Sequence, residues 1–361
     1  MKIVSFRLFR TTLRCKKPFH IASGVSDVCH GILLELTTDD ETIGWGEAAP
    51  DPYLTGETFT GCLAALKEQY LPAVLGLNPF AIGEAHARMG RVLIGHPAAR
   101  CAVDLALHDL MGQRSGQSVV ALLGGTGRPV ATNYSIGLGT AEEAASEARS
   151  LVEQGYATIK LKVGADPGED VERAEAVRSV IGPDLGLRID ANEGWNAHQA
   201  RYALSRMERL EVELCEQPLE RHELAATARL RAQTRIPLAA DESVHTMHDA
   251  LHAIQAGAYD IFNLKLMKSG GLWPARQIVT LARSHGVQLM VGGMVGESSL
   301  AVTAAASLAS AFGFEYADLD ADLLLADKLG GALKLENGSR WLSEAPGWGF
   351  GELNLRLIEA L

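Results

Sequence analysis

From about Pro129 onward the chain repeats one rhythm, a short apolar run followed by a segment with helical spacing of its apolar residues. The runs predicted as strands are 132–136, 158–163, 186–190, 214–216, 238–241, 261–266, 288–292 and 314–319, and helices are predicted over 141–154, 170–181, 197–210, 223–233, 247–255, 273–285 and 298–308. Strands alternating with helices at this period run parallel, joined by right-handed crossovers, and eight of them point to a closed α/β barrel. An open doubly wound sheet would carry a glycine-rich phosphate turn after its first strand, and neither Gly-x-Gly-x-x-Gly nor a Walker sequence stands there.

Ahead of the repeat the pattern differs. Residues 2–12 and 32–38 alternate or run apolar like strands, and the polar turn Thr38-Asp39-Asp40-Glu41-Thr42 makes 31–46 a hairpin. Helices are expected over 57–71 and over 97–113, where Ala102, Val103, Leu105, Ala106 and Leu110 keep helical spacing. The segment after 333 carries Gly and Trp turns and is expected to pack beside this first α+β unit. The expected division is therefore 1–125, with 330–361 contributing, and a barrel over 126–329.

Composition narrows the function. The net charge of −11 opposes a nucleic-acid partner, which selects a basic face. With 47% hydrophobic and 21% charged residues the chain is an ordinary folded one, and its longest apolar runs, such as Val119-Val120-Ala121-Leu122-Leu123, are too short to span a membrane. The start, Met1-Lys2-Ile3-Val4-Ser5-Phe6, reads as a strand and not as a secretion signal. Cys15, Cys29, Cys62, Cys101 and Cys215 form no Cys-x-x-Cys pair, so a reduced, cytoplasmic enzyme is expected.

The chemistry sits at the strand ends. Lys162, Asp190, Glu216, Asp241 and Lys265 follow one another at intervals of one strand–helix unit, so each occupies the C-terminal end of a successive strand, where barrel active sites form. Three carboxylates converging on one point repel unless a cation joins them. Asp190, Glu216 and Asp241 offer hard oxygen ligands and no histidine, which suits Mg²⁺ better than Zn²⁺. Asn192, two residues past Asp190, is either a partner to these ligands or an ordinary turn residue. Lys160 and Lys162 share one strand face. A free lysine, with a pKa of about 10.4, is a poor base at neutral pH, and a neighbouring cation disfavours its charged form. Lys268 reads as a loop charge or as a partner to these ligands.

These strings, Lys160-Leu-Lys162, Asp190-Ala-Asn192, Glu216-Gln-Pro218, Ala240-Asp-Glu-Ser243 and Asn263-Leu-Lys-Leu-Met-Lys-Ser-Gly-Gly271, together with Gly44-Trp-Gly-Glu-Ala-Ala-Pro50, resemble the muconate-lactonizing subgroup of the enolase superfamily over nearly the whole chain. The resemblance implies a (β/α)7β barrel capped by an α+β domain, Mg²⁺ held by Asp190, Glu216 and Asp241, and Lys162 and Lys265 as the two acid/base catalysts, with Lys160 lowering the pKa of its neighbour. It also implies a homo-oligomer. The mandelate-racemase branch places a His–Asp dyad on later strands. Here Lys265 fills that slot, and His285 falls on the helix before the seventh strand.

The eighth strand carries Asp318-Leu-Asp320, two carboxylates on one face. They call for a cation, and the α-ammonium of a dipeptide supplies one, so the pair resembles the signature of dipeptide epimerases. By the same resemblance Ser135, Gly293 and Val295 line the substrate site. The expected reaction is 1,1-proton transfer at the α-carbon of the C-terminal residue, through an enediolate. The alternatives are an N-acylamino acid racemase or o-succinylbenzoate synthase, a muconate cycloisomerase, and a non-catalytic scaffold. Family members that prefer Ala-Glu look to carry an arginine about where Gly24 stands, and no arginine lies between Lys16 and Val74. An unpaired glutamate carboxylate in a closed site costs about 1–3 kcal/mol. Phe19, Ile21 and Tyr53 are expected to line an apolar pocket, which predicts neutral, mainly apolar dipeptides. Cationic ones rank second through Asp27 and Asp51, and Lys17 or His20 are the residues able to replace the arginine.

Overall fold

The eight apolar runs form one parallel sheet in the computed structural model, which describes residues 1–21, 24–331 and 333–361. Its strands, first to eighth, are Tyr134–Ile136, Thr158–Lys162, Gly186–Asp190, Leu214–Glu216, Leu238–Ala240, Ile261–Leu264, Gln288–Gly292 and Tyr316–Asp318, hydrogen-bonded in sequential order. Asn133 N donates to Ala317 O at 3.4 Å and Leu319 N to Thr132 Oγ1 at 2.7 Å, bringing the first and last strands together into a nearly closed barrel. Helices return each strand to the next, and several start on reciprocal caps: Thr140 with Glu143, Asn196 with Gln199 and Thr246 with Asp249.

The barrel interior is layered. Leu214, Ala239, Ile261 and Met290 are fully buried and pack with Tyr316 to form the floor. Two residues further on, the same face of the chain presents Glu216, Asp241, Asn263, Gly292 and Asp318. Several strands are shorter than the pattern predicts: the fifth stops at Ala240 and the sixth at Leu264, so Asp241 and Lys265 sit just beyond them, in the turns.

The capping sheet is antiparallel, in the order Ile358–Ala360, Ile3–Ile21, Gly24–Thr38 and Ile43–Ala48. The hairpin of its two long strands runs past the expected end at residue 12, through Lys16, Lys17 and Pro18, with the register shifted between Arg14 and Phe19. Helix Pro97–Ser115 crosses the sheet so closely that a Cβ on Gly46 would stand 1.9 Å from Ala102 O, which accounts for the glycines of Gly44-Trp-Gly46. Helix Ile82–Val92 is additional to the two predicted for this unit. Lys334–Glu336 pairs with Ser339–Trp341, which pairs in turn with Val130–Ala131 before the barrel, so among the described residues only Ile358–Ala360 of the tail joins the capping sheet. Among the described residues no helix is long and apolar enough to cross a membrane, and all five cysteines are free.

Candidate active site

The register of the barrel sets Lys162 beside Asp190 and Asp190 beside Glu216. Lys160 and the three predicted metal ligands are almost wholly buried. Lys160 Nζ lies 2.9 Å from Asp190 Oδ2, 2.7 Å from Glu216 Oε2 and 2.6 Å from Asp318 Oδ2. Lys162 Nζ donates to Asp190 Oδ2 at 2.6 Å and to Asn192 Oδ1 at 2.9 Å. Lys265 Nζ, four strands round the barrel from Lys162, donates to Asp241 Oδ2 at 2.6 Å. The other oxygen of Asp241 takes Lys268 Nζ at 2.5 Å. A Cβ on Gly292 would stand 3.1 Å from Lys265 Cε, so glycine there leaves room for the lysine stem.

Burial and pairing pull these groups apart. Burial opposes the charge of Asp190, but Lys160 and Lys162 hold its carboxyl down at about 2. Glu216 is pushed up to about 7 by burial and by Asp190. Burial likewise opposes Asp241, which Lys265 and Lys268 keep well below the ordinary carboxylate range. Lys265 is raised above the usual lysine value because Asp241 and Glu216 outweigh burial.

One cavity opens onto this layer. Lys162, Lys265, Asp241, Asn192, Ser135, Asp318, Asp320, Gly293 and Val295 all line it. So do Phe19, Ile21 and Tyr53 from the capping unit, with Leu54, Met294 and Leu324 adding apolar wall. Lys160, Asp190 and Glu216 lie beneath. Gly24 is not part of the lining, and nothing stands within 4 Å of where its Cβ would be. The neighbouring Ala22 and Ser23 fall outside the described residues. Asp27 and Lys17 are exposed away from the lining, Lys17 paired with Glu147 at 2.6 Å, and His20 faces a separate cleft.

At the far end Asp318 is already engaged. Its Oδ1 accepts from Asn133 Nδ2 and its Oδ2 from Lys160, both at 2.6 Å. Asp320 accepts Ser135 N at 2.6 Å through Oδ2, and burial with Asp318 beside it raises its carboxyl to about 7.

Among the described residues no three His, Cys, Asp or Glu side chains stand ready to hold a metal ion; each predicted ligand turns an oxygen toward a lysine instead. The donor set nevertheless fits a hard dication. All three carboxylates are buried, and Glu216 Oε2, though near Lys160, makes no hydrogen bond.

Several participants escaped the sequence pattern. Glu242 lines the cavity and accepts Asn192 Nδ2 at 3.1 Å. Alternation along a strand would turn it away from Asp241, but the strand has already ended. Lys268, read as a loop charge or as a partner to the ligands, is the latter: it is buried on Asp241, because the chain turns helical at Leu266–Ser269 and residues 265 and 268 share a face, which the pattern did not show. Asn263 donates to Glu216 Oε1 at 2.7 Å.

Residues 143–352 match the family model described as enolase C-terminal domain-like, and residues 3–124 that of the mandelate racemase/muconate lactonizing enzyme N-terminal domain. A hydrophobic dipeptide epimerase of Enterococcus faecalis is 35% identical over 322 residues, covering 89% of this chain and 91% of that protein. The Enterococcus faecalis dipeptide epimerase structure complexed with Mg and L-Leu-L-Tyr superposes with a TM-score of 0.94, covering 97% of this chain and 99% of that one. An L-Ala-D/L-Glu epimerase of Bacillus subtilis is 33% identical, covering 97% of this chain and 96% of that protein. An N-succinyl-L-Arg/Lys racemase of Bacillus cereus is 35% identical, covering 84% and 83%. The chain is an isomerase, and it belongs to the mandelate racemase/muconate lactonizing enzyme family of the enolase superfamily.

Proposed function

We propose that this protein is a Mg²⁺-dependent dipeptide epimerase acting at the α-carbon of the C-terminal residue, with a preference for neutral, mainly apolar dipeptides. The observation that carries the reading is one cavity with Lys162 and Lys265 half a barrel apart and an aspartate pair at one end. The same-family enzymes named as dipeptide epimerases support it.

Asp190, Glu216 and Asp241 would hold Mg²⁺, which when bound supplies positive charge to a carboxylate substrate and to the charge it gains on losing its α-proton. This chain's own residues do the rest. One lysine removes the α-proton from one face, and the electron pair delocalises into the carboxylate as an enediolate. The lysine opposite, held as an ammonium in the way Asp241 holds Lys265, delivers a proton to the other face. Two groups of one chemical type suit a reversible epimerisation, since each is base in one direction and acid in the other. Lys160, deep in the layer, keeps Asp190, Glu216 and Asp318 together. Asp320 would receive the substrate ammonium, since among the described residues only its Oδ2 is taken.

The apolar lining Phe19, Ile21, Leu54, Met294, Val295 and Leu324 supports the substrate preference. Asp51 also lines the cavity, but its Oδ1 is occupied by Tyr53 N and Leu54 N at 2.8 and 2.6 Å. A second reading, an N-acylamino acid racemase, draws on the Bacillus cereus relative. An acylated amine brings no charge to Asp318 and Asp320, which disfavours it.

A dipeptide library in D₂O with Mg²⁺, read by mass spectrometry for α-deuterium, tests the reading. Uptake with L-Ala-L-Leu exceeding that with L-Ala-L-Glu is expected, abolished by EDTA and restored by Mg²⁺. Uptake only with N-acylated substrates would replace this function by the second one.

A further inference from the structure

The capping unit reaches the barrel mouth through a polar cluster that the proposed chemistry does not use. Tyr53 OH donates to Glu193 Oε2. Arg221 donates to Glu193 Oε1 through N at 2.6 Å and Nε at 2.9 Å, and to Oε2 through Nη2 at 2.6 Å. Arg221 Nη1 also donates to Tyr53 O at 3.2 Å, and the guanidinium lies 4.7 Å from the centre of the Tyr53 ring. Three segments meet here: the 51–54 loop over the cavity, the turn after the third barrel strand and the turn after the fourth. Burial and Glu193 push the Tyr53 phenol up to about 12, so it keeps its proton to donate.

Glu193 directly follows Asn192, and both hold left-handed backbone, with φ of 65° and 41°. That conformation is unfavourable for residues with a Cβ and persists where the surroundings impose it. Glu193 N donating to Gln217 O at 3.0 Å is one constraint, and the Arg221 fork on the Glu193 carboxylate is another. The same turn aims Asn192 Oδ1 at Lys162 Nζ, at 2.9 Å. Among the described residues Lys265 makes no hydrogen bond toward the cap; its hydrogen bond goes to Asp241.

We infer that Glu193 and Arg221 are positioning residues that seat the Tyr53 loop over the cavity and, through Asn192, set Lys162 and not Lys265. The inference rests on the two-lysine reading above and adds an asymmetry to it. Closing the loop and placing one of the two lysines become a single event.

The test follows α-proton exchange in D₂O separately from the L,L and L,D epimers of Ala-Leu, with Lys162→Ala and Lys265→Ala identifying which lysine serves which epimer. Glu193→Gln is expected to slow exchange of the Lys162-dependent epimer by about tenfold, the size of a weakened hydrogen bond to a charged group, while the other epimer changes by less than about twofold. Equal loss from both epimers, or no loss from either, overturns the inference, since general loosening of the site has no reason to choose a face. Tyr53→Phe, which keeps the ring over Arg221, is expected to raise KM severalfold and to slow exchange of the Lys162-dependent epimer more than that of the other, so it serves alone should Glu193→Gln fail to fold. An unaltered KM in Tyr53→Phe also overturns the inference. Absence of exchange from either epimer in the unmodified enzyme would instead remove the proposed function beneath it.

Discussion

The floor and the mouth of the barrel are built from the same strands, two residues apart, and they do opposite work. Leu214, Ala239, Ile261 and Met290 at the floor pack on one another and on the Tyr316 ring, over which the Arg188 guanidinium lies. At the mouth, Glu216, Asp241 and Asp318 are just as buried, yet each is offset by an ammonium group. Burying apolar area stabilises the fold by about 25 cal/mol per Å². Buried ion pairs commonly do little better than break even, because desolvation offsets their attraction. The contrast teaches that a charged layer of this size is kept for chemistry, and that the floor lets the barrel tolerate it.

The strongest challenge to this contrast is removal of a mouth lysine. Lys162→Ala and Lys265→Ala should each lower epimerisation by about a hundred- to ten-thousandfold, with the far-ultraviolet circular dichroism unchanged. Turnover surviving in either variant would mean that the mouth is structural after all. The converse substitution is Ile261→Ala at the floor. It should cost about 2–5 kcal/mol of unfolding free energy in urea titrations, while kcat/KM of the folded enzyme stays within a few-fold. A floor variant that loses activity without losing stability would break the division of labour.

Asp320→Asn probes the edge of the mouth. Losing one charge-assisted contact with the substrate ammonium, worth about 1.5–3 kcal/mol, should raise KM for dipeptides by about tenfold or more. An unchanged KM would assign the Asp318–Asp320 pair to structure.

The smallest effect concerns a buried ionic cluster outside the barrel, which should behave like the floor. Asp104 accepts His86 Nε2 at 2.8 Å and Leu272 N at 2.7 Å and lies 3.2 Å from His108 Nδ1, joining the cap to a barrel helix. Burial would lower the pKa of His108, but Asp104 raises it above the ordinary 6.5. Its contribution to stability is therefore complete below that ordinary value and fades as pH rises through the raised one. The stability gap between the wild type and His108→Gln, from urea unfolding at a series of pH values, should narrow as pH rises, without any change in KM.

Much of this was legible because each barrel strand announces itself locally. The apolar run, the polar residue that ends it and the helix that follows are all sequence neighbours, so Asp190, Glu216 and Lys265 could be placed without tertiary information. Helix Ile82–Val92 was missed although Ile82, Ala85 and Met89 keep helical spacing along it; its Gly83 and Gly90 are poor helix formers. The long hairpin was cut short because Lys16-Lys17-Pro18 resembles a loop, whereas its strands shift register there and continue. Glu242 was hidden by applying strand alternation beyond the strand end. The Tyr53–Glu193–Arg221 cluster leaves no local trace, since its partners are brought together by the docking of two separate units.

The pairing of Phe9, Arg10 and Thr11 with Ala360, Glu359 and Ile358 has a consequence for synthesis. The long hairpin leaves the ribosome early, but the strand that covers its outer edge is encoded after every strand of the barrel. At about 5–20 residues per second the interval is on the order of half a minute. Throughout that time Phe9–Thr11 offers unpaired backbone donors and acceptors, the template on which nascent chains stick to one another. Arg7 is paired with Glu35 of the hairpin itself, but Arg10 and Arg14 also lie along that strand, and their like charge would keep two such hairpins apart until Ile358–Ala360 arrives.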